Sequence, residues 1–293
     1  MGIHTFSIVA YDPDEQAWGV AVASKFLAAG AVVSWARAGA GAVATQAYAR
    51  VSFGPEGLAM LADGKSAQET LERLLEGDPG QSSRQIGIVD VNGRAAAHTG
   101  VNCTPWAGHR IGVGFACQGN ILTGPEVLEA MAETFMTAQG ELADRLLAAL
   151  DAGDQAGGDR RGKQAAGLLV VRPDGGYGGD NDRYLDLRVD DDPAPVAKLA
   201  HLVKLHHLFF GEPRPEDWLP INEDIARELQ TLLRAQNYYT GEISGQWDEA
   251  SIKAFDALVG VENLEERWSI NDPAHIDRVA LEHLRSLYGG SLG

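Results

Sequence analysis

The sequence predicts an α+β fold, a four-layer αββα sandwich followed by a small helical module, and three features of the chain carry that expectation. Strand-like runs arrive in groups separated by groups of helical pattern, which suits stacked sheets flanked by helices better than an alternating parallel sheet. Several runs are built from alternating small and β-branched residues joined by Gly-, Asn- and Asp-containing turns, the pattern of antiparallel hairpins. Finally, Glu212-Pro213-Arg214-Pro215-Glu216 offers nothing to a core and reads as a linker, dividing residues 1–211 from residues 212–293.

Taken in order, Thr5 to Ala10 and Trp18 to Ser24 flank the turn-like Asp12-Pro13-Asp14 and read as a hairpin. Val32 to Arg37 and Gly41 to Thr45 add two strands whose small side chains permit close packing between layers. From Gly54 to Glu76 the leucines recur at helical spacing, with a break at Gly64-Lys65-Ser66 and Ser66 as a cap. Ile86 to Val91 and Arg94 to Thr99 flank Asn92-Gly93, which suits the positive φ angles of a type I′ turn. A strand over Val113 to Gln118 precedes a helix-rich run, Pro125 to Leu150. Ala165 to Val171 and Tyr184 to Val189 pair across Pro173-Asp174-Gly175-Gly176, and the helix Pro195 to Phe210 closes the unit. Past the linker, Asp224 to Ala235 and Glu249 to Val259 are helices separated by a turn at Tyr238-Tyr239-Thr240-Gly241.

Composition bounds the function. With 293 residues, 45% of them hydrophobic, the chain can bury a large core. A formal charge of -17 disfavours capture of nucleic acid or of an anionic membrane surface. No charged-then-apolar leader and no apolar run of the roughly 18–20 residues needed for a membrane span is present, so a cytoplasmic location is expected. Cys103 and Cys117 are too few for a disulfide framework and lack the spacing of a zinc site. The acidic triplets Asp180-Asn181-Asp182 and Asp190-Asp191-Asp192 do not follow calcium-loop spacing; neither a metal nor a cofactor is expected.

The segments Thr5 to Ala10, Trp18 to Phe26, Ala42 to Tyr48 and Gly179 to Arg183 resemble domain-of-unknown-function family 1028, with the resemblance running over most of residues 5–211. That resemblance implies the fold of the N-terminal-nucleophile hydrolases, among them proteasome subunits, and with it a chemistry in which a terminal hydroxyl attacks an amide carbonyl while its own α-amine serves as base. Carried onto this chain, Thr5 is the nucleophile, exposed by removal of residues 1–4, and Lys25 resembles the lysine that holds the amine unprotonated. Asp159 resembles an orienting aspartate, although Gly162 stands where the proteasome has a hydroxyl, and Asn120 with Gly119 offers donors for the oxyanion. Ser24, Thr45 and Gln46 lie at strand ends where a substrate pocket would open; Asp180 and Asn181, in the family-like motif, would shape it. His4, His98 and His109 have the acid–base range for a supporting role, and Arg37 and Arg183 could clamp a carboxylate.

Residues Glu228 to Arg234, Tyr238 to Gly245 and Asp248 to Phe255 resemble peptidoglycan-binding domains. Residues 212–293 carry 7 Lys+Arg against 16 Asp+Glu, a balance of -9, and no export signal directs them to a cell wall. The expected function is therefore hydrolysis of an amide or peptide-like substrate by a homo-oligomer. The alternative is a non-catalytic binding or assembly protein that keeps the fold, its second module serving association or binding of a peptidoglycan fragment.

Overall fold

The computed structural model describes residues 5–211 and 213–289, and the chain divides into two compact units between Val203 and Lys204. The first unit is α+β with antiparallel sheets. Its elements are β1 (Thr5–Asp12), β2 (Ala17–Ser24), α1 (Ala29–Val33), β3 (Ser34–Arg37), β4 (Gly41–Ala47), α2 (Phe53–Ala62), α3 (Ala67–Leu75), β5 (Arg84–Asp90) and β6 (Ala95–Thr99). There follow β7 (Gly108–Gly112), β8 (Phe115–Gly119), α4 (Glu126–Thr137), α5 (Leu142–Gln155), β9 (Ala165–Val171), β10 (Arg183–Val189) and the start of α6 (Pro195–Phe210). One sheet has six strands in the order β10-β9-β2-β1-β8-β7; the other has four, β3-β4-β5-β6.

Strand parity decides what each face buries. In β1, Phe6, Ile8 and Ala10 join Leu128, Met131 and Phe135 of α4 and Leu146 and Leu150 of α5 in one core. Val9 of β1 faces the other way and packs with Trp18, Val20 and Val22 of β2 and with Ala42, Ala44 and Val89 of the four-stranded sheet. The opposite face of that sheet, carrying Val43, Ile86 and Ile88, meets Phe53 and Leu61 of α2 and Leu71 and Leu74 of α3. Each large apolar side chain so buried stabilises the fold by about 1.5–3 kcal/mol. Between the sheets the approach is close: a Cβ on Gly87 of β5 would stand 2.0 Å from the Gln118 side-chain oxygen, so only glycine fits opposite that amide.

Local sequence explains most boundaries. Ser66 accepts from the Glu69 amide while Glu69 reaches back to the Ser66 amide, the reciprocal cap that separates α3 from α2. Gly140, at φ +104°, lies between α4 and α5, so the run Pro125 to Leu150 is two helices. Val32 and Val33, expected in a strand, belong to α1, and the strand starts at Ser34. The β5–β6 hairpin forms as its Asn-Gly predicts, but by different turn chemistry. Only Gly93 takes a positive φ, and the buried Asp90 carboxylate organises the loop by accepting the amides of Asn92 and Arg94 at 2.9 and 3.1 Å. Its other oxygen accepts the first amide of α3, Ala67, at 3.0 Å. β7 has no counterpart in the expectations, because its Gly-His-Arg-Ile-Gly pattern lacks an apolar alternation.

The second unit contains α7 (Glu223–Ala235), α8 (Glu249–Glu262) and α9 (Arg278–Tyr288), with a ribbon of β11 (Trp218–Pro220) and β12 (His275–Asp277). Asn222, Asp248 and Asp277 cap the three helices through their side chains. Leu229, Leu233, Phe255, Leu258, Trp268, Ile276 and Leu284 are its core. Arg267 is buried there, bonded to Asp277 at 2.9 Å and to the carbonyl of Leu208 at 2.8 Å.

Two stability outcomes follow from the first unit. Gly87→Ala forces a methyl into a side chain that its own hydrogen bonds hold, and the expected loss is about 1–3 kcal/mol in urea unfolding; an unchanged midpoint would refute the close approach. Asp78 is bonded to Arg84 at 2.8 and 3.1 Å, and that guanidinium holds its carboxyl below the usual carboxylate range. A depressed folded pKa gives a stabilisation that is complete above the unfolded value, near 3.9, and disappears as pH falls through the folded value. Asp78→Asn therefore costs about 1–3 kcal/mol at pH 7, and melting temperatures of variant and parent converge on acidification below about pH 4. A gap that stayed constant with pH would contradict the ion pair.

Candidate functional site

The head of β1 is where the sequence places its chemistry, and antiparallel register assembles two polar rows there. On the six-stranded sheet Ser7, Gln118 and His109 are cross-strand neighbours on β1, β8 and β7. On the four-stranded sheet Gln46, Gln85 and Thr99 align on β4, β5 and β6. The rows face each other and bond: Ser7 Oγ donates to Gln46 Oε1 at 2.6 Å, and Thr99 Oγ1 lies 2.9 Å from His109 Nδ1. Gln46 Nε2 donates to Gln85 Oε1 at 2.9 Å, Gln118 Nε2 to Ser7 Oγ at 2.7 Å, and Gln85 Nε2 to the Gly119 carbonyl at 2.8 Å. Burial, followed by the charges of His98 and Arg110, pushes the His109 pKa down, favouring the neutral ring.

Thr5 opens β1 opposite Ser24, and both are buried. Its Oγ1 donates to the Ala23 carbonyl at 2.5 Å, and its carbonyl accepts the Asn120 amide at 3.0 Å. Asn120 Nδ2 is bonded to Gln85 Oε1 at 2.8 Å, so the amide and side-chain donors expected to face an oxyanion already serve Thr5 and Gln85. Residues 1–4, whose removal the nucleophile requires, and His4 among them, lie outside the described residues.

Lys25 departs from its expected place. Its side chain is exposed and its Nζ donates to the Lys163 carbonyl at 3.2 Å, so the ammonium does not meet the Thr5 hydroxyl. The physical reason is parity: Ser24 shares the face of Thr5, and the next residue along leaves that face. Asp159 comes close through the backbone instead. Its Oδ2 accepts the Lys25 amide at 3.0 Å and Arg161 Nη2 at 2.7 Å, while Oδ1 accepts the Arg161 amide at 2.9 Å and its Nε at 3.1 Å. This carboxylate pins the 159–163 loop to the end of β2. Gly162, at φ +112°, is glycine for its backbone.

The remaining candidates separate. Gln46 enters the network, but Thr45 faces the α2 side and its Oγ1 reaches only the Arg50 carbonyl at 3.4 Å. Asp180 and Asn181 are exposed in the β9–β10 connection, beyond the pairing of Trp18 with Val171, whereas Ser24 pairs with Ala165 at the other end of the same strands. They do not join Thr5. His98 Nε2 lies 2.9 Å from the Gln81 carbonyl. Ser7, Gln85 and Gln118 escaped the sequence reading; their signal is a polar residue at an alternate position in an otherwise apolar strand, facing inward. Cys103 and Cys117 are buried thiols whose pKa values burial raises. Among the described residues no three His, Cys, Asp or Glu side chains gather to hold a metal ion, and no helix is long and apolar enough to cross a membrane.

Comparison with known proteins places these residues. Residues 5–199 match the model of the family of unknown function DUF1028, and residues 209–284 match the model named "Putative peptidoglycan binding domain". No curated protein matches the chain. The crystal structure of protein SPO2555 from Silicibacter pomeroyi, which carries the same DUF1028 model, is 32% identical and superposes with a TM-score of 0.64, covering 71% of this chain and 91% of that one. With the sheets, the β1 head and the 159–163 loop all inside the first matched segment, the chain belongs to the DUF1028 family.

Proposed function

We propose that this protein, with its N-terminal residues in place, is a non-catalytic binding or assembly protein on an αββα scaffold of N-terminal-nucleophile hydrolase type. The scaffold reading is supported by two antiparallel sheets sharing one apolar core, each with a separate core against helices on its outer face. One observation carries the functional reading. The Thr5 hydroxyl is buried and donates its proton to the Ala23 carbonyl, while the Lys25 ammonium is held elsewhere by Lys163. A nucleophile needs a base within hydrogen-bond reach and a path for substrate, and here the hydroxyl bonds a carbonyl that cannot take its proton. Binding is then assigned to surfaces outside the β1 head, with the second unit serving association or recognition of a peptidoglycan fragment. Its match to the peptidoglycan-binding model supports that role. The cytoplasmic location in this reading is supported by two unbridged cysteines.

A second reading, hydrolysis of an amide substrate, draws on a different observation. Thr5, Ser24, Asn120 and Asp159 gather around one strand end, and cleavage before Thr5 would supply the missing base as its α-amine.

Intact mass of the purified protein separates the two. A chain that retains residues 2–4, shows no turnover across a library of acyl amides and dipeptides, and gives identical results as Thr5→Ala is the expected outcome. A species beginning at Thr5, with turnover that Thr5→Ala lowers by about a hundredfold or more, would establish the hydrolase instead. The assembly role predicts a homo-oligomer in light scattering at micromolar concentration; a monomer there would remove it.

A further inference from the structure

A cleft at the joined edges of the two sheets carries chemistry that the β1 head lacks. It has a volume of about 180 Å³ and lies between α1 and β3 on one side and β9 and β10 on the other. That is room for about six waters at ~30 Å³ each, the size of a short organic acid. Its lining includes Arg183, Asp186 and Arg188 of β10, Ser34 of β3, and Gly30 and Gly167.

The sequence does not place these charges together unaided. Arg183 and Asp186 are three apart, so a regular strand would send them to opposite faces. The register of β10 on β9 slips between Arg183 and Leu185, so that two steps along β10 span one step along β9. Beyond that bulge, Asp186 pairs with Leu169 and Arg188 with Gly167, and the shift brings Arg183 back to their face, 3.4 Å from Asp186. Re-aiming a side chain in this way is a recurrent use of bulges beside binding sites.

The charges are under-used. Asp186 lies 3.4 Å from Arg183 Nη1 and 3.8 Å from Arg188 Nε, both longer than the roughly 2.7–2.9 Å of a charge-assisted hydrogen bond. Neither guanidinium makes a hydrogen bond to another described side chain or carbonyl. One carboxylate against two guanidiniums leaves a net single positive charge, in a protein whose formal charge is -17. Ser34 Oγ is buried without a hydrogen-bond partner among the described residues. Its pairing with Ala44, which faces the other sheet, turns it toward the cleft. Such an orphaned hydroxyl is destabilising unless a ligand or water meets it.

The floor is shaped for close approach. A Cβ on Gly167 would stand 3.0 Å from the Gly30 Cα, and one on Gly30 would stand 3.2 Å from Arg188 Cγ. The two backbones therefore touch, and the arginine stem lies over them with its head at the opening. Leu169, Ala31 and Ala36 complete an apolar wall.

We propose that this cleft binds a small organic monocarboxylate, its carboxylate bridged by Arg188, Arg183 and the Ser34 hydroxyl and its short apolar tail laid on Leu169, Ala31 and Ala36. The net single charge selects a monoanion over a dianion. Arg37, at the end of β3, does not line the cleft.

The test is a titration of the full-length protein with butyrate, butyramide and inorganic phosphate, followed through the backbone amide NMR signals of Ser34 and Gly167. Butyrate is expected to shift both signals saturably, butyramide to leave them in place, and phosphate to bind at least tenfold more weakly. Arg188→Gln should weaken butyrate about tenfold, the loss of roughly one charge-assisted bond, and Ser34→Ala, which removes no charge and keeps the backbone, should weaken it severalfold with an unaltered amide spectrum elsewhere. No shift with butyrate, equal shifts with butyramide, phosphate binding tighter than butyrate, or a folded Arg188→Gln protein with undiminished affinity would each overturn the assignment.

Discussion

Amides that have lost water between two sheets must satisfy one another, and that constraint organises the first unit. Gln46, Gln85, Gln118 and Asn120 are all fully buried, each carrying donors and acceptors into the layer between the sheets. An unmet amide there costs about 1–3 kcal/mol, so the sheets can close only in a register that pairs them. Gln85 does most of this: it accepts from Gln46 and Asn120 and donates to the Gly119 and Gly108 carbonyls, linking β4, β5, β7 and β8. A slip of one residue in either sheet would turn its polar row outward into the helices and bring leucine-sized side chains into the gap. Gly87 belongs to the same solution, since the Gln118 amide occupies the space that any larger residue would need.

This closure has a chemical consequence. The groups that a sequence reading assigns to catalysis are the ones whose donors and acceptors the layer consumes. The Asn120 amide holds the Thr5 carbonyl, its side chain holds Gln85, and Asp159 is filled by Arg161 and the Lys25 amide. Convergence in space is therefore compatible with two opposite roles, and the direction of each proton distinguishes them. Where a hydroxyl gives its proton to a backbone carbonyl, the bond fixes a strand end; a base in that position would make it a nucleophile.

The elements that could be read from the chain were those whose signal is local. The Ser66 cap, the alternating strands of β1 and β2, and the prolines after α6 all act within a few residues. What stayed hidden depends on partners far along the chain. β7 is polar and Gly-rich, and only its pairing with β8 makes it a strand. α9 carries its own cap at Asp277, but its leucines acquire a face only against Leu229, Phe255 and Trp268. Lys25 was misplaced for a related reason: the motif that contains it is legible, whereas the face its side chain takes follows from the strand ending at Ser24 and from the Lys163 carbonyl brought up by a distant loop. Of the buried glutamines Gln46 alone is singled out by the sequence, and their hydrogen-bond partners lie 14 to 111 positions away in sequence, from Gln85 to Thr99 and from Gln118 to Ser7.

A buried or half-buried polar group that is fully bonded contributes order, and one that is not retains the capacity to bind. The two ends of this comparison sit on the same pair of sheets. At the β1 head Ser7, Gln46, Gln85 and Asn120 are bonded to protein partners, Gln118 Oε1 is enclosed against Gly87 with no hydrogen-bond partner among the described residues, and the sheets are pressed together over it. At the opposite margin of the four-stranded sheet, past β3, the second sheet extends uncovered by strands, and there a bulge, two touching glycines and a pair of loosely held arginines leave donors facing an opening. Holding like charges side by side is costly unless a counter-charge arrives, and a single aspartate at 3.4 and 3.8 Å balances only one of them. By that physical criterion the incomplete part of the fold lies at the edge of the sheets.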